Sequence, residues 1–107
     1  MNKMVLRFSF DFGDICLWGM NDSAKKQFGY AIESSSLPFS RQLMDKLNGL
    51  QEEFGTILDW EDPASGCIWT EQHKLDFLER ANEVCREIQQ ELGSEFEIIN
   101  EASQGIL

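Results

Sequence analysis

The sequence predicts an α+β two-layer sandwich, in which an antiparallel sheet is covered on one face by two helices. The sheet is expected to combine an N-terminal hairpin with a C-terminal strand. A run with two-residue alternation near the N-terminus indicates a strand, and two later segments carry apolar residues at helical spacing. Strands that precede a pair of helices are typical of the α+β class. At 107 residues, the chain is expected to form a single domain over 1–107.

The first predicted strand runs from Met4 to Phe12. Its even-numbered positions are apolar and its odd-numbered positions are polar apart from Val5, so one face is expected to be buried. The turn Gly13-Asp14 leads into a second strand over Ile15 to Met20. Its apolar content is continuous, which indicates burial on both faces or a bulge at Gly19. The two strands are expected to form a β-hairpin.

In the next segment, Asn21-Asp22-Ser23 and Ser34-Ser35-Ser36 are loop-like, while Phe28 to Ile32 has the composition of a short strand. Ser40 is a suitable N-cap for a helix that runs from Arg41 to Phe54 and ends at Gly55. Apolar residues recur along this helix at spacings of three and four. The spacing predicts that one side of the helix is buried.

The longest predicted helix follows Thr70, a second suitable N-cap, and runs to Leu92 before Gly93 ends it. A stripe of apolar residues at helical spacing gives this helix a buried side as well. The segment from Glu95 to Asn100 is expected to close the sheet. The tail, 101–107, is expected to fray.

The negative charge is concentrated in two segments that contain no lysine or arginine. The chain has a formal charge of −10, to which residues 47–73 contribute six acids and residues 87–107 contribute five. This balance argues against binding to nucleic acid or to an anionic membrane, because both need a basic surface. A docking surface for a basic protein is one interpretation, and a solubilising surface is the other.

The candidate partner-binding residues come from these two segments. Trp60 lies among three carboxylates, where a tryptophan is either an interface anchor or a core residue that closes the end of a helix. The neighbouring carboxylates are the stronger candidates for contact with a partner. The complete set of predicted partner-binding residues is Glu52, Glu53, Asp59, Trp60, Glu61, Asp62, Glu95 and Glu97.

The sequence contains no catalytic, metal-binding or cofactor motif. His73 is the only histidine, and no cysteine lies at a spacing from it that indicates a thiol–imidazole pair. Cys16 and Cys85 are expected to be buried and Cys67 to be partly exposed. Three cysteines without a CxxC spacing favour the reducing cytoplasm over a disulfide framework. We therefore expect a cytoplasmic protein that is not an enzyme and uses no cofactor.

Five short motifs are spread over most of the chain. They are Leu17-Trp18-Gly19-Met20-Asn21, Phe28-Gly29-Tyr30, Leu37-Pro38-Phe39-Ser40, Leu58-Asp59-Trp60 with Pro63 and Trp69, and Glu91-Leu92-Gly93. Together they resemble small bacterial immunity proteins that accompany polymorphic toxins, including those of contact-dependent growth inhibition (CDI) systems. The resemblance implies a cytoplasmic protein that blocks the toxic C-terminal domain of a cognate effector, commonly a nuclease. It implies no particular binding residues, since such interfaces differ between toxin pairs.

The leading hypothesis is stoichiometric occlusion of a basic toxin domain through the acids of 52–62 or 87–101. In this hypothesis the protein is a monomer, with a homodimer as the alternative state. An antirestriction-type DNA mimic is a variant with a different target. Two other classes stay open: a small acidic structural or oligomerisation module without a toxin partner, and a domain that binds a small molecule or a metal.

Overall fold

Four strands form one mixed sheet in the computed structural model, which describes residues 3–11, 15–59, 61–62, 64 and 66–106. The strands are β1 (Met4–Phe8), β2 (Leu17–Gly19), β3 (Ala31–Ile32) and β4 (Phe96–Asn100). Their order across the described sheet is β3-β2-β1-β4. The β1–β2 and β2–β3 pairs are antiparallel, which confirms the predicted hairpin. Phe12 and the predicted Gly13-Asp14 turn lie outside the described residues.

Three α-helices accompany the sheet in the described chain, namely α1 (Asp22–Phe28), α2 (Arg41–Phe54) and α3 (Glu71–Leu92). The bounds of α2 and α3 confirm the two predicted helices. Both predicted N-caps are formed: the Ser40 hydroxyl accepts the Leu43 N–H at 3.2 Å, and the Thr70 hydroxyl accepts the His73 N–H at 3.1 Å. Each cap satisfies a backbone donor that the first turn of a helix leaves without a partner.

The core lies between the sheet and the long helices. Leu6 and Phe8 of β1 are completely buried, which confirms the one-sided alternation of this strand. Phe10 continues the same side, and its ring lies 5.6 Å from that of Phe54 in α2 and 5.1 Å from that of Phe77 in α3, measured between centroids. Removing such side chains from water is the main stabilising contribution to the fold.

The closing strand corrects one detail of the predicted sheet. Strand β4 pairs with β1 in a parallel direction, with Met4 opposite Phe96 and Phe8 opposite Asn100, so the sheet is mixed and not purely antiparallel. Parallel neighbours need a long crossover connection, and the chain between β1 and β4, which contains the helices, supplies it. A pattern of apolar residues indicates a strand but does not encode its direction.

Helix α1 begins within Asn21-Asp22-Ser23, a stretch whose composition predicts a loop. Asn21 caps this helix, since its side-chain oxygen accepts the Ala24 N–H at 3.0 Å. The helix has seven residues, and Ala24 is its buried one. A helix this short has no periodic apolar stripe, so the sequence pattern does not predict it. The short strand predicted within Phe28 to Ile32 is present as β3.

Ala102 and Ile106 pack against the core, although the sequence predicted a frayed tail over 101–107. A 3-10 helix begins at Ala102, and the exposed fractions of Ala102 and Ile106 are only 1% and 6%. The prediction was wrong here because these two apolar residues, four positions apart, both reach the core. Leu107 lies outside the described residues.

Candidate functional site

The predicted partner-binding residues fall into three groups by position. They are the α2 pair Glu52 and Glu53, the loop acids Asp59, Glu61 and Asp62, and the β4 pair Glu95 and Glu97. Trp60, the remaining candidate, lies outside the described residues. The groups differ in how much of their charge is neutralised within the molecule.

Glu53 holds α2 against the start of α3. Arg80 donates from Nη1 and Nη2 to its two carboxylate oxygens at 2.7 and 2.6 Å, and His73 Nε2 lies 2.9 Å from one of them. The bonds from Arg80 are the main reason that the pKa of the Glu53 carboxyl is lowered. The His73 ring also stacks on Trp69. The charge of Glu53 is therefore used internally, whereas its neighbour Glu52 is exposed.

Two acids of α3 also bind within the molecule. Glu87 pairs with Lys46 of α2 at 2.8 Å. Glu91 accepts hydrogen bonds from the hydroxyl and the backbone N–H of Ser40, each at 2.6 Å, and these bonds lower the pKa of the Glu91 carboxyl. Both acids therefore fasten α3 to α2.

The loop acids are exposed on the segment that follows α2. The Asp59 carboxylate accepts the Glu61 N–H at 3.0 Å, and the Asp59 carbonyl accepts the Asp62 N–H at 3.0 Å. A β-bridge between Leu58 and Cys67 joins the two sides of the loop. The three acids thus lie within four consecutive positions, 59–62, of a loop whose two sides are joined by a β-bridge.

The β4 pair lies at one edge of the sheet, since β4 has β1 as its neighbour on one side. Glu97 stands opposite Val5 in the parallel ladder. The Glu97 side chain lies on the face turned away from the helices, because the adjacent Leu6 and Ile98 point into the core, and Glu95 lies in the turn just before β4. Glu95 and Glu97 are both exposed.

The sheet face turned away from the helices carries an aromatic and aliphatic cluster that the sequence analysis did not select. We call this surface the open face; its residues are Val5, Arg7, Trp18, Met20, Tyr30, Glu97, Ile99 and Glu101. None of these side chains is buried. A sheet face in contact with water normally carries polar residues. The composition of the open face therefore resembles that of a protein–protein interface more than that of a solvent-exposed sheet face.

Arg7 occupies the centre of the open face. Its Nη2 donates to the Tyr30 hydroxyl at 3.3 Å, and its guanidinium carbon lies 5.7 Å from the Trp18 ring centroid. The Trp18 and Tyr30 rings are 5.3 Å apart. A Glu101 carboxylate oxygen lies 3.9 Å from Arg7 Nε, and this buried nitrogen has no hydrogen-bond partner among the described residues. One arginine and two aromatic rings thus form a connected cluster.

Two irregularities in the sequence pattern coincide with this face. Val5 is the apolar exception on the polar side of β1, and the continuous apolar content of 15–20 places Trp18 on the same side of the sheet. Arg7 and Tyr30 carry no comparable signal. They become neighbours only when the strands pair.

The described residues contain no group of histidine, cysteine and acidic side chains that could hold a metal ion. Cys16 and Cys85 are buried and Cys67 is exposed, as the sequence predicted. Burial raises the pKa of the Cys16 thiol to about 12, so this thiol stays protonated and unreactive at neutral pH. None of the described helices combines the length and the apolar character needed to cross a bilayer.

Residues 4–102 match the family model for Serratia CdiI immunity protein-like sequences. The chain belongs to this CDI immunity protein family. The family membership confirms the resemblance that the sequence motifs indicated. Comparison of this CDI immunity protein with curated proteins gives no match.

Two exposed surfaces of the immunity protein, the loop acids and the open face, lie within the residues that match the family. The loop acids and the whole open face fall between residues 4 and 102. A family of CDI immunity proteins implies a cognate toxin as partner. The loop acids and the open face are the two surfaces to compare as candidates for that contact.

Proposed function

We propose that this CDI immunity protein binds the toxic C-terminal domain of its cognate effector in the cytoplasm and blocks it by stoichiometric occlusion. The immunity protein acts as a monomer and catalyses no reaction. The toxin domain is a nuclease, whose cationic cleft binds phosphates. Family membership supports the toxin as partner, and the formal charge of −10 supports a basic target.

The observation that carries this proposal is the presence of exposed carboxylates on the loop after α2 and beside the edge of the sheet. The loop acids are exposed, and the β4 pair forms no ion pair with the described residues. Carboxylates of this kind attract a cationic cleft, increase the association rate and compete with phosphate for the same donors.

The fold supports occlusion because it fixes the acidic surfaces before a partner arrives. Glu53, Glu87 and Glu91 lock α2 to α3, and the strands share one apolar core with these helices. A surface that is already ordered loses little conformational freedom on binding. Tight stoichiometric inhibition is the expected result.

The test combines the purified immunity protein with the C-terminal domain of the CDI effector encoded next to its gene. We expect nuclease activity to fall to zero at an equimolar ratio. The association rate constant should fall about tenfold or more when salt is raised from about 50 mM to about 500 mM, because salt screens the attraction. Full nuclease activity in the presence of an excess of immunity protein would contradict the proposal.

Charge reversal tests whether the loop acids or the β4 pair bind the toxin domain. The variants are Glu61→Lys with Asp59→Lys, and Glu95→Lys with Glu97→Lys. A matched control, Glu79→Lys with Glu83→Lys, makes the same change of charge at exposed positions of α3. We expect one of the first two variants to slow association more than the control does. If all three have the same effect, only net charge matters and occlusion through a defined acidic surface is wrong.

A further inference from the structure

We propose that the open face is the surface on which the immunity protein docks the toxin domain. This inference rests on the proposed function and deepens it, because it assigns the contact to one side of the sheet. The toxin contributes a basic protein surface that covers the aromatic cluster and reaches the acids along β4. The loop acids then serve for long-range attraction only.

The composition of the open face favours protein binding. Tryptophan, tyrosine and arginine are the residue types enriched among the strongest contributors to protein–protein affinity, and Trp18, Tyr30 and Arg7 form one contact cluster here. Large apolar side chains with high exposure in the described chain are Met20 at 39%, Tyr30 at 53%, Ile68 at 55% and Leu75 at 54%. Two of these four belong to the open face.

Arg7 is available to a partner because its hydrogen-bonding capacity is mostly unused. A guanidinium carries five N–H donors. Among the described residues Arg7 makes one hydrogen bond, to Tyr30, and its nearest carboxylate oxygen, in Glu101, is 3.9 Å away. Buried donors without acceptors are rare in native proteins. A partner that covers this face can supply acceptors to the remaining donors and exclude the water around them.

The charges around the cluster identify the chemistry of the partner. Glu97 and Glu101 lie on the β4 side of the open face, Glu95 directly precedes that strand, and β4 itself contains no base. A second copy of the chain would bring together two molecules that each carry a charge of −10, which opposes association. A basic protein surface meets the same acids favourably. The toxin domain is therefore the occupant that fits.

The experiment measures the affinity of the toxin domain for two matched double variants. Met20→Ala with Tyr30→Ala removes exposed side chains from the open face, while Ile68→Ala with Leu75→Ala removes side chains of similar exposure elsewhere. We expect the first pair to weaken binding about 30-fold or more and the second pair to change it by less than about threefold. Equal effects of the two pairs, or no effect of the first, would overturn the inference while nuclease inhibition by the wild type upholds the proposed function.

A second measurement needs no variant. Hydroxyl radicals oxidise tryptophan, tyrosine and methionine readily, so Trp18, Tyr30 and Met20 report directly on coverage of the open face. We expect all three to be protected in the complex and Leu75 to stay reactive. Unchanged oxidation of the three residues would overturn the inference. The inference would also be overturned if the wild type were a homodimer, the Met20→Ala, Tyr30→Ala variant were a monomer, and both bound the toxin domain with the same affinity. A wild type that binds no toxin would overturn the proposed function as well.

Discussion

At the scale of single residues, the acids of this protein serve two different purposes. Glu53, Glu87 and Glu91 are bound to side chains or backbone across the α2–α3 contact. The loop acids and the β4 pair face solvent. The first group stabilises the fold, and the second group lies on surfaces that a partner can reach.

Replacing Glu53 with glutamine should destabilise the protein by about 1 kcal/mol at neutral pH. The variant loses the bidentate pair with Arg80 and the contact with His73, and the estimate is modest because Arg80 is half-exposed. Urea denaturation measures the difference. Glu52→Gln is the control, and this exposed neighbour should change stability by less than about 0.5 kcal/mol.

The lowered pKa of Glu53 also predicts how stability depends on pH. The pKa of the Glu53 carboxyl is lower in the folded protein than its ordinary value of 4.5. The folded state is therefore stabilised, relative to the unfolded state, at pH values where Glu53 is ionised. The stabilisation is complete above about pH 4.5 and is lost as the pH falls through the lower folded pKa. The stability difference between wild type and Glu53→Gln should therefore shrink on acidification. A difference that stays constant in unfolding experiments down to about pH 3 would contradict this assignment.

The distinction between internal and available acids could not be read from the sequence. The absence of bases in 47–73 and 87–107 indicated two acidic surfaces. The bases that neutralise Glu53 and Glu87 come from distant positions, Arg80 and Lys46, and they meet these acids only after α2 and α3 pack together. Charge counted along the chain therefore overestimates the charge offered to a partner.

At the scale of elements, the side chain of Gln89 closes part of the outer edge of β4. Its amide nitrogen donates to the Phe96 carbonyl at 2.7 Å, and its amide oxygen accepts the Ile98 N–H at 3.1 Å. One glutamine of α3 thus makes the two bonds that a neighbouring strand would otherwise make. Covering an edge in this way protects a sheet against pairing with other chains.

Replacing Gln89 with alanine should expose that edge. The Ile98 amide hydrogen should exchange with solvent faster. The exchange rates of the β1 amides inside the sheet should increase only as much as the loss of global stability requires. We expect a loss of about 1 kcal/mol in the free energy of unfolding, because a partly buried donor and acceptor lose their partners. Hydrogen exchange followed by NMR tests both effects. Gln90→Ala, at the exposed position next along α3, should leave the Ile98 rate unchanged.

Two glycines should respond in opposite ways to replacement by alanine. A Cβ at Gly19 would lie 2.6 Å from the Gly29 carbonyl oxygen, so Gly19→Ala forces strand and helix apart and should cost about 1–3 kcal/mol. A Cβ at Gly49 would meet nothing within 4 Å, so Gly49→Ala should stabilise α2 by about 1 kcal/mol. Thermal denaturation of both variants measures the two signs. A destabilised Gly49→Ala would show that the helix needs glycine there for another reason.

Secondary-structure elements that depend on a few consecutive residues could be predicted from the sequence. Features that depend on pairing between distant segments could not. Ser40 and Thr70 mark the starts of α2 and α3 because capping depends on a few consecutive residues. Helix α1 lacked a signal since it buries little beyond Ala24. The direction of β4 is decided by its contact with β1, which no local pattern specifies.

At the scale of the whole molecule, charge and the open face act in opposite directions. The charge of −10 keeps copies apart, while exposed aromatic side chains favour contact. Light scattering should give the monomer mass of 12.3 kDa at low salt. High salt screens the repulsion, so it should increase self-association of the wild type more than that of the Met20→Ala, Tyr30→Ala variant. A dimer that persists unchanged at all salt concentrations would contradict this balance.

The parallel pairing of β1 with β4 has a consequence for biosynthesis. Met4 emerges from the ribosome long before its partner Phe96 is translated. Until then one side of β1 has no neighbour, and a nascent chain presents unpaired backbone that invites misassociation. A message cut short before the β4 codons would yield a polypeptide whose β1 lacks its parallel neighbour, so the complete sheet forms only after translation has proceeded through this strand.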